Sequence, residues 1–121
     1  MQIKKALLLG GAGFVGRSIA AQLVRLGYKV IIPTRYVERT KPLWVLPQVQ
    51  CIQSDIHKLE NLVELCSQMN KDDVVINLVG ILHDRPAFPC GKLFEKNHVE
   101  LPRKIIAAMK ACGLKRYIHM S

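Results

Sequence analysis

Lys4-Lys5-Ala6-Leu7-Leu8-Leu9 runs directly into Gly10-Gly11-Ala12-Gly13-Phe14-Val15-Gly16. A sided helical stretch and a second apolar run, Tyr28 to Thr34, follow before Arg35. Ile3 to Leu9 shows no polar alternation, the pattern of a strand covered on both faces. Val15, Ile19, Leu23 and Leu26 recur at helical spacing with Arg17, Gln22 and Arg25 between them, so Phe14 to Leu26 reads as an amphipathic helix ended by Gly27. Val30, Ile31 and Ile32 form the next strand, and Pro33 implies that its hydrogen bonding relaxes there. In Gly10-x-x-Gly13-x-x-Gly16 the first glycine permits a tight turn and the second removes a side chain where pyrophosphate approaches. The third lets helix and strand pack closely, and the helix start presents backbone N–H groups to the phosphates. A bland tight turn can also use three glycines. The strand before and the helix and strand after favour dinucleotide binding, and the lack of Gly-Lys-Ser/Thr excludes an ATP-binding P-loop.

The alternation continues. Val49 to Gln53 reads as a third strand ended by Ser54-Asp55. Leu59, Leu62, Val63, Leu65 and Cys66 form a helical stripe, with Asp55 or His57 just upstream of its cap, and Val74 to Val79 is a fourth strand closed by Gly80. Pro42 and Pro47 leave room for only a helical turn within 36–47, and Pro86, Pro89 and Gly91 mark 81–93 as a loop. Asn97 to Cys112 supports a helix whose regular part begins near Leu101, with Pro102 in its first turn. Gly113 closes it, and Lys115 to Met120 is a fifth strand. The fold class is therefore α/β, a doubly wound parallel sheet of the Rossmann NAD(P)-binding type with the expected strand order 3-2-1-4-5. Residues 1–121 suit one such domain but are short for a complete dinucleotide enzyme. The expectation is the N-terminal part of a longer protein, reaching as far as the fifth strand.

Composition narrows the classes. Half of the 121 residues are hydrophobic, which excludes a disordered chain, and no run of 18 apolar residues predicts a transmembrane span. The net charge is +9 and unevenly placed: Lys4, Lys5, Arg17, Arg25, Lys29 and Arg35 precede the first acidic residue, Glu38. A positive region near the glycine turn attracts a multiply charged phosphate ligand, and it also suits an anionic membrane or an acidic partner. Singly scattered basic residues and one tryptophan disfavour nucleic acid. Cys51, Cys66, Cys90 and Cys112 show neither a Cys-x-x-Cys pair nor zinc spacing; isolated thiols suggest a reducing compartment, with Cys51 and Cys112 expected to be buried.

The second strand of such a fold usually ends in an acid that binds the adenine ribose hydroxyls. Here Thr34-Arg35 stands there, and a guanidinium binds a 2′-phosphate that a carboxylate would repel. Arg17, next to Gly16, could flank the same phosphate. The favoured cofactor is NADP, with NAD the alternative if Arg35 is a solvated loop residue or stacks on adenine. Asp55, with Ile56 beside it, meets the adenine amino group or caps the following helix. Leu78, Val79 and Gly80 would line the ribose side, while Asn77 could tie neighbouring loops. His83 is read as a solvated loop histidine. Ser121, at the end of the fifth strand, could face a substrate, yet nothing in the sequence activates it.

With these pieces placed, the chain resembles the N-terminal part of an extended short-chain dehydrogenase/reductase. It is most similar to the atypical branch that contains the NDUFA9-type accessory subunit of respiratory complex I and its bacterial relatives. The residues that carry the resemblance are Gly10 to Arg17, Val30 to Arg35, Val74 to Gly80 and Lys115 to Ser121, the last similar to the strand leading into the active-site serine region. The resemblance implies that Gly10, Gly13 and Gly16, with Gly11, Ala12, Phe14 and Val15 between them, bind pyrophosphate. It implies NADP selection by Arg17 and Arg35, adenine beside Asp55 and Ile56, and ribose beside Leu78, Val79 and Gly80. Asn97 resembles the asparagine of the helix after the fourth strand. Enzymes of the group use a Tyr-x-x-x-Lys pair, but Tyr28, Tyr36 and Tyr117 are followed four positions later by Ile32, Thr40 and Ser121. The resemblance thus implies either a non-catalytic, cofactor-bearing protein related to a respiratory complex, or a reductase or epimerase whose Tyr and Lys lie beyond residue 121. A cytoplasmic protein, peripheral at the inner membrane where it meets a respiratory complex, and a homodimer are the matching expectations of place and partner, with a small-molecule substrate in the enzyme case.

Overall fold

A computed structural model describes residues 4–10, 14–35, 37–38, 41, 46–79 and 100–119. Five strands, β1 (Lys5–Leu9), β2 (Lys29–Thr34), β3 (Val49–Gln53), β4 (Val74–Asn77) and β5 (Arg116–His119), alternate with helices α1 (Phe14–Arg25), α2 (Leu59–Ser67) and α3 (Leu101–Cys112). The strands form one parallel sheet in the order β3-β2-β1-β4-β5, the Rossmann order expected from the sequence.

The unbroken apolar run of β1 has a direct cause. Ala6 and Leu8 pack with Val30, Ile32, Ile76 and Ala20 on the α1 face, while Leu7 and Leu9 pack with Ile31 and Val75 under α2 and α3. All four are fully buried, so neither face leaves room for a polar residue. On the second face α2 and α3 also pack on each other, through Leu62, Leu65, Cys66, Ile105, Ala108 and Met109. Pro102 lies in the first turn of α3, where its missing N–H costs no helical bond, and Gly113 ends that helix in the left-handed conformation.

Pro33 sits inside β2, an interior strand, and the reason it is tolerated lies in the register. The β1–β2 ladder ends at Leu7↔Ile31, whereas β2–β3 pairing continues through Pro33↔Ile52 to Thr34↔Gln53. Lys29 donates toward β1 and Val30 toward β3, so the alternation points Pro33 toward β1, past the last paired residue. Relaxation is therefore one-sided: hydrogen bonding stops toward β1 and persists toward β3.

Asp73 is buried at the start of β4 and joins two elements. Its Oδ1 accepts the Lys5 N–H at 2.9 Å and its Oδ2 accepts the Asn70 N–H at 2.8 Å, so one carboxylate ties the start of β1 to the turn after α2.

The cysteines differ from expectation. Cys66 is the buried thiol, whereas Cys51 and Cys112 are half-buried and Cys90 lies outside the described residues. Cys51 sits on β3, the edge strand of the sheet, and Cys112 lies in the last turn of α3. Burial, aided by the neighbouring Cys112, pushes the Cys66 thiol up to about 11. A folded-state value above the ordinary 9.0 means that stability from the neutral thiol is complete below that value and is lost as pH rises toward about 11. Cys66 is accordingly expected to resist iodoacetamide in the native protein near neutral pH, as mass mapping would show; alkylation as fast as in urea would contradict its burial.

Candidate functional site

The carboxyl ends of β1, β2, β3 and β4 and the start of α1 converge on one edge of the sheet, where strand order reverses around β1. Gly10 ends β1 with φ +85°. A Cβ there would stand 3.0 Å from the Val79 nitrogen, 3.1 Å from the Leu78 carbonyl carbon and 3.2 Å from Val79 Cγ2. Both the left-handed turn and the close passage of the β4 end thus demand glycine. Leu78 donates its N–H to the Leu9 carbonyl at 2.8 Å, prolonging the β1–β4 contact to the rim of the turn.

The remaining proposed residues fall into groups. Gly16 is buried in α1, Val15 and Arg17 are half-buried beside it, and Phe14 opens the helix. Leu78 is buried with the α1-side core and Val79 half-buried against the other. Gly11, Ala12, Gly13, Gly80, Asn97 and Ser121, as well as His83, lie outside the described residues. Among the described residues no cluster of His, Cys, Asp and Glu is placed to hold a metal ion, and no helix is long and apolar enough to cross a membrane. A shallow groove of about 370 Å³ lined by Lys5, Lys29, Gln48 and Gln68 opens at the strand starts, the opposite edge of the sheet.

Arg35 is exposed just past β2, and its charge is felt at Asp55, just past β3. Asp55 Oδ1 accepts the His57 N–H at 3.0 Å, and its carbonyl accepts Asn61 Nδ2 at 2.9 Å. The His57 N–H is the main reason the Asp55 carboxyl lies below its ordinary value; Arg35, His57 and Lys58 add to the effect and partial burial opposes it. The residue that caps α2 is Lys58, without a side-chain bond, so Asp55 closes the preceding turn instead of capping the helix itself. Lys104 of α3 fastens the same turn by donating to the His57 carbonyl at 2.7 Å. Ile56 packs under this turn against the α2–α3 core.

One constellation escaped the sequence reading. Asn77, fully buried at the end of β4, accepts the Val79 N–H on Oδ1 at 3.0 Å and donates from Nδ2 to Tyr117 Oη at 3.2 Å. The same Nδ2 lies 3.3 Å from His119 Nδ1, and Tyr117 Oη lies 3.1 Å from that ring nitrogen. The available signal was an asparagine ending Val74-Val75-Ile76, since a polar residue in a fully covered strand needs buried partners.

Comparison with known proteins agrees with this geometry. Residues 6–121 match the NAD dependent epimerase/dehydratase family. The chain is 32% identical over 120 residues to the mouse mitochondrial NADH dehydrogenase [ubiquinone] 1 alpha subcomplex subunit 9, covering 96% of this chain and 30% of that protein. The UDP-glucose 4-epimerase of Klebsiella pneumoniae is 24% identical over 125 residues, covering 97% of this chain and 88% of that one. Among solved structures, Pen from Bacillus thuringiensis superposes with a TM-score of 0.84 at 17% identity, over 99% of this chain and 38% of that one. Yeast methylglyoxal/isovaleraldehyde reductase Gre2, complexed with NADPH, gives 0.73 at 20% identity, over 97% and 36%. The chain thus spans about a third of the mouse relative's length. With the Gly10 turn, the reversal of strand order and the match over nearly the whole sequence, the chain belongs to the NAD dependent epimerase/dehydratase family, whose dinucleotide reading its glycine turn fits.

Proposed function

We propose that residues 1–121 form a dinucleotide-binding domain that prefers NADP(H), in a protein that keeps the cofactor as a structural ligand within a respiratory-complex-related assembly. The close passage of Val79 over Gly10 supports the binding reading, because the backbone of the β4 end fills the space a side chain would need and so requires glycine in the turn after β1. The Gly10–Gly16 segment and the start of α1 would hold the pyrophosphate, Leu78, Val79 and Gly80 the ribose, and Asp55 with Ile56 the adenine. Arg35, with Arg17, would engage the 2′-phosphate. Gly11, Ala12, Gly13, Phe14, Val15, Asn97 and Ser121 complete the proposed contact set. The likeness to the mouse complex I subunit supports the assembly role and a peripheral position at the inner membrane. A bound dinucleotide would stabilise the folded protein by mass action.

The likeness to UDP-glucose 4-epimerase supports a second reading, an NADP-dependent reductase or epimerase of a nucleotide-sugar-like hydroxyl or ketone. There the nicotinamide would accept and return hydride, while the residues above bind and orient it. Both readings share the cofactor preference, which calorimetry tests. NADPH is expected to bind about ten- to a hundred-fold tighter than NADH, the range of charge-assisted hydrogen bonds to a phosphate, with Arg35→Ala bringing the two close to parity. Equal affinities in the parent protein, or an undiminished preference in the variant, would remove Arg35 from the role.

A further inference from the structure

We propose that the strand-start edge of the sheet, opposite the dinucleotide edge, docks on an anionic lipid bilayer with Leu26 set into the interface. This inference rests on the peripheral membrane position proposed above and names the surface that makes the contact. Of the six basic residues that precede Glu38, only Arg17 and Arg35 stand toward the carboxyl ends of the strands. Lys4, Lys5, Arg25 and Lys29 lie at the other edge, where α1 finishes and β1 and β2 begin. Later turns repeat the pattern: Lys71 precedes β4, and Lys115 and Arg116 lead into β5, all three exposed like Lys4, Arg25 and Lys29. Five strands at about 4.8 Å spacing spread these cations over roughly 19 Å. In the described turns of this edge the carboxylates are Asp72 and Asp73, and the second is buried with both oxygens bonded to backbone N–H groups. The dinucleotide edge mixes its signs, with Asp55, Glu60 and Glu100 among Arg35, Lys58 and Arg103.

Charge alone suits any polyanion, and Leu26 selects the bilayer. It directly follows α1, between Arg25 and Lys29, and at 74% exposure it is the barest of the large apolar side chains described. The neighbouring Gly27 has nothing within 4 Å of its Cβ position, so the turn stands open. A leucine at an open turn flanked by cations enters the boundary between headgroups and acyl chains, while the cations meet lipid phosphates. A nucleic acid or a flexible acidic chain offers that side chain no apolar phase. The groove lined by Lys5, Lys29, Gln48 and Gln68 opens on the same edge and holds donors for a headgroup phosphate. In this orientation the dinucleotide edge faces solution, and cofactor and bilayer do not compete.

The test is co-sedimentation of the full-length protein with vesicles of equimolar phosphatidylcholine and phosphatidylglycerol, with phosphatidylcholine vesicles as the reference. The parent is expected to bind the anionic vesicles and to release them as salt rises. Arg25→Gln combined with Lys29→Gln is expected to weaken binding about 25-fold, at about five-fold for each cation removed near the membrane surface. Leu26→Gln is expected to weaken it about ten-fold, the low end for burial of a leucine side chain. Lys58→Gln with Arg103→Gln removes the same charge from the opposite edge, roughly 15 Å away and about twice the Debye length at physiological salt. That pair is expected to leave binding within about two-fold of the parent. All five residues are exposed, so the thermal midpoints should stay close to the parent's. Saturating NADP⁺ is expected to leave vesicle binding unchanged. Full affinity in Leu26→Gln, beside a loss in the Arg25 and Lys29 variant, would overturn the bilayer in favour of a soluble acidic partner. Equal losses in the two charge pairs, or undiminished binding without Arg25 and Lys29, would overturn this edge and leave the peripheral position standing. No binding of the anionic vesicles by the parent would overturn both.

Discussion

Gly10→Ala is expected to lower stability by about 2–5 kcal/mol and to abolish measurable dinucleotide binding. Two costs coincide at this position. A left-handed residue with a side chain carries roughly 1–2 kcal/mol of local strain, and the turn holds φ at +85°. The new methyl group would also meet the Val79 nitrogen and the Leu78 carbonyl carbon at 3.0 and 3.1 Å. Those are backbone atoms, tied down by the Leu78 N–H to Leu9 and the Val79 N–H to Asn77, so they cannot swing aside as a side-chain tip would. Overpacking of this kind adds about 1–3 kcal/mol. Gly27 provides the internal comparison: its φ is +92°, yet nothing lies within 4 Å of the position a Cβ would take. Gly27→Ala should therefore show the conformational cost alone. Urea denaturation of both variants, with calorimetry against NADP⁺, separates the terms. Equal destabilisation would mean that the β4 end yields easily and that Gly10 serves only the turn.

Asp73→Ala is expected to cost about 2–4 kcal/mol, and Asp73→Asn to recover little of it. The carboxylate is buried and each oxygen accepts a different backbone N–H, from Lys5 and from Asn70. Alanine strands both donors. Asparagine keeps one acceptor but sets its amide NH₂ against the other N–H, a donor facing a donor. This pattern distinguishes a bidentate acceptor from a merely space-filling residue, and chemical denaturation reads it directly. A fully rescued Asn variant would show that one of the two bonds carries no weight. Because the bonds lie at the strand starts, dinucleotide affinity should follow global stability and show no separate loss.

The residues that repeat along the chain were legible, and those that meet across it were not. The apolar run of β1, the spacing of α1, Pro102 in the first turn of α3 and the strand order all follow from local pattern plus the handedness of crossovers. Asn77, Tyr117 and His119 meet only because β4 and β5 pair in register, with Asn77 opposite His119, and nothing local announces a meeting across a separation of 42 positions. Asp73 and Lys104 were opaque for the same reason: each serves a backbone group far away in sequence. Asp55 stands just past β3, as its position after Gln53 implies, but its carboxylate serves the turn and not the helix cap. Cys51 looks buried in the sequence because a cysteine in a strand reads as covered until the strand proves to be an edge.

The position of β1 in the sheet has a consequence for the growing polypeptide. One side of β1 finds its partner soon, since Lys5 pairs with Lys29, but the other side waits for β4, where Leu7 meets Val75 after 68 further positions. At ribosomal rates of about 5–20 residues per second, those positions take roughly 3–14 s to emerge. Throughout that interval Ala6 to Leu9, each fully buried in the finished fold, offers a bare strand edge to any other extended chain nearby. The strand that centres the mature sheet is thus the nascent protein's chief aggregation hazard, and the segment a trigger-type chaperone would have most reason to hold.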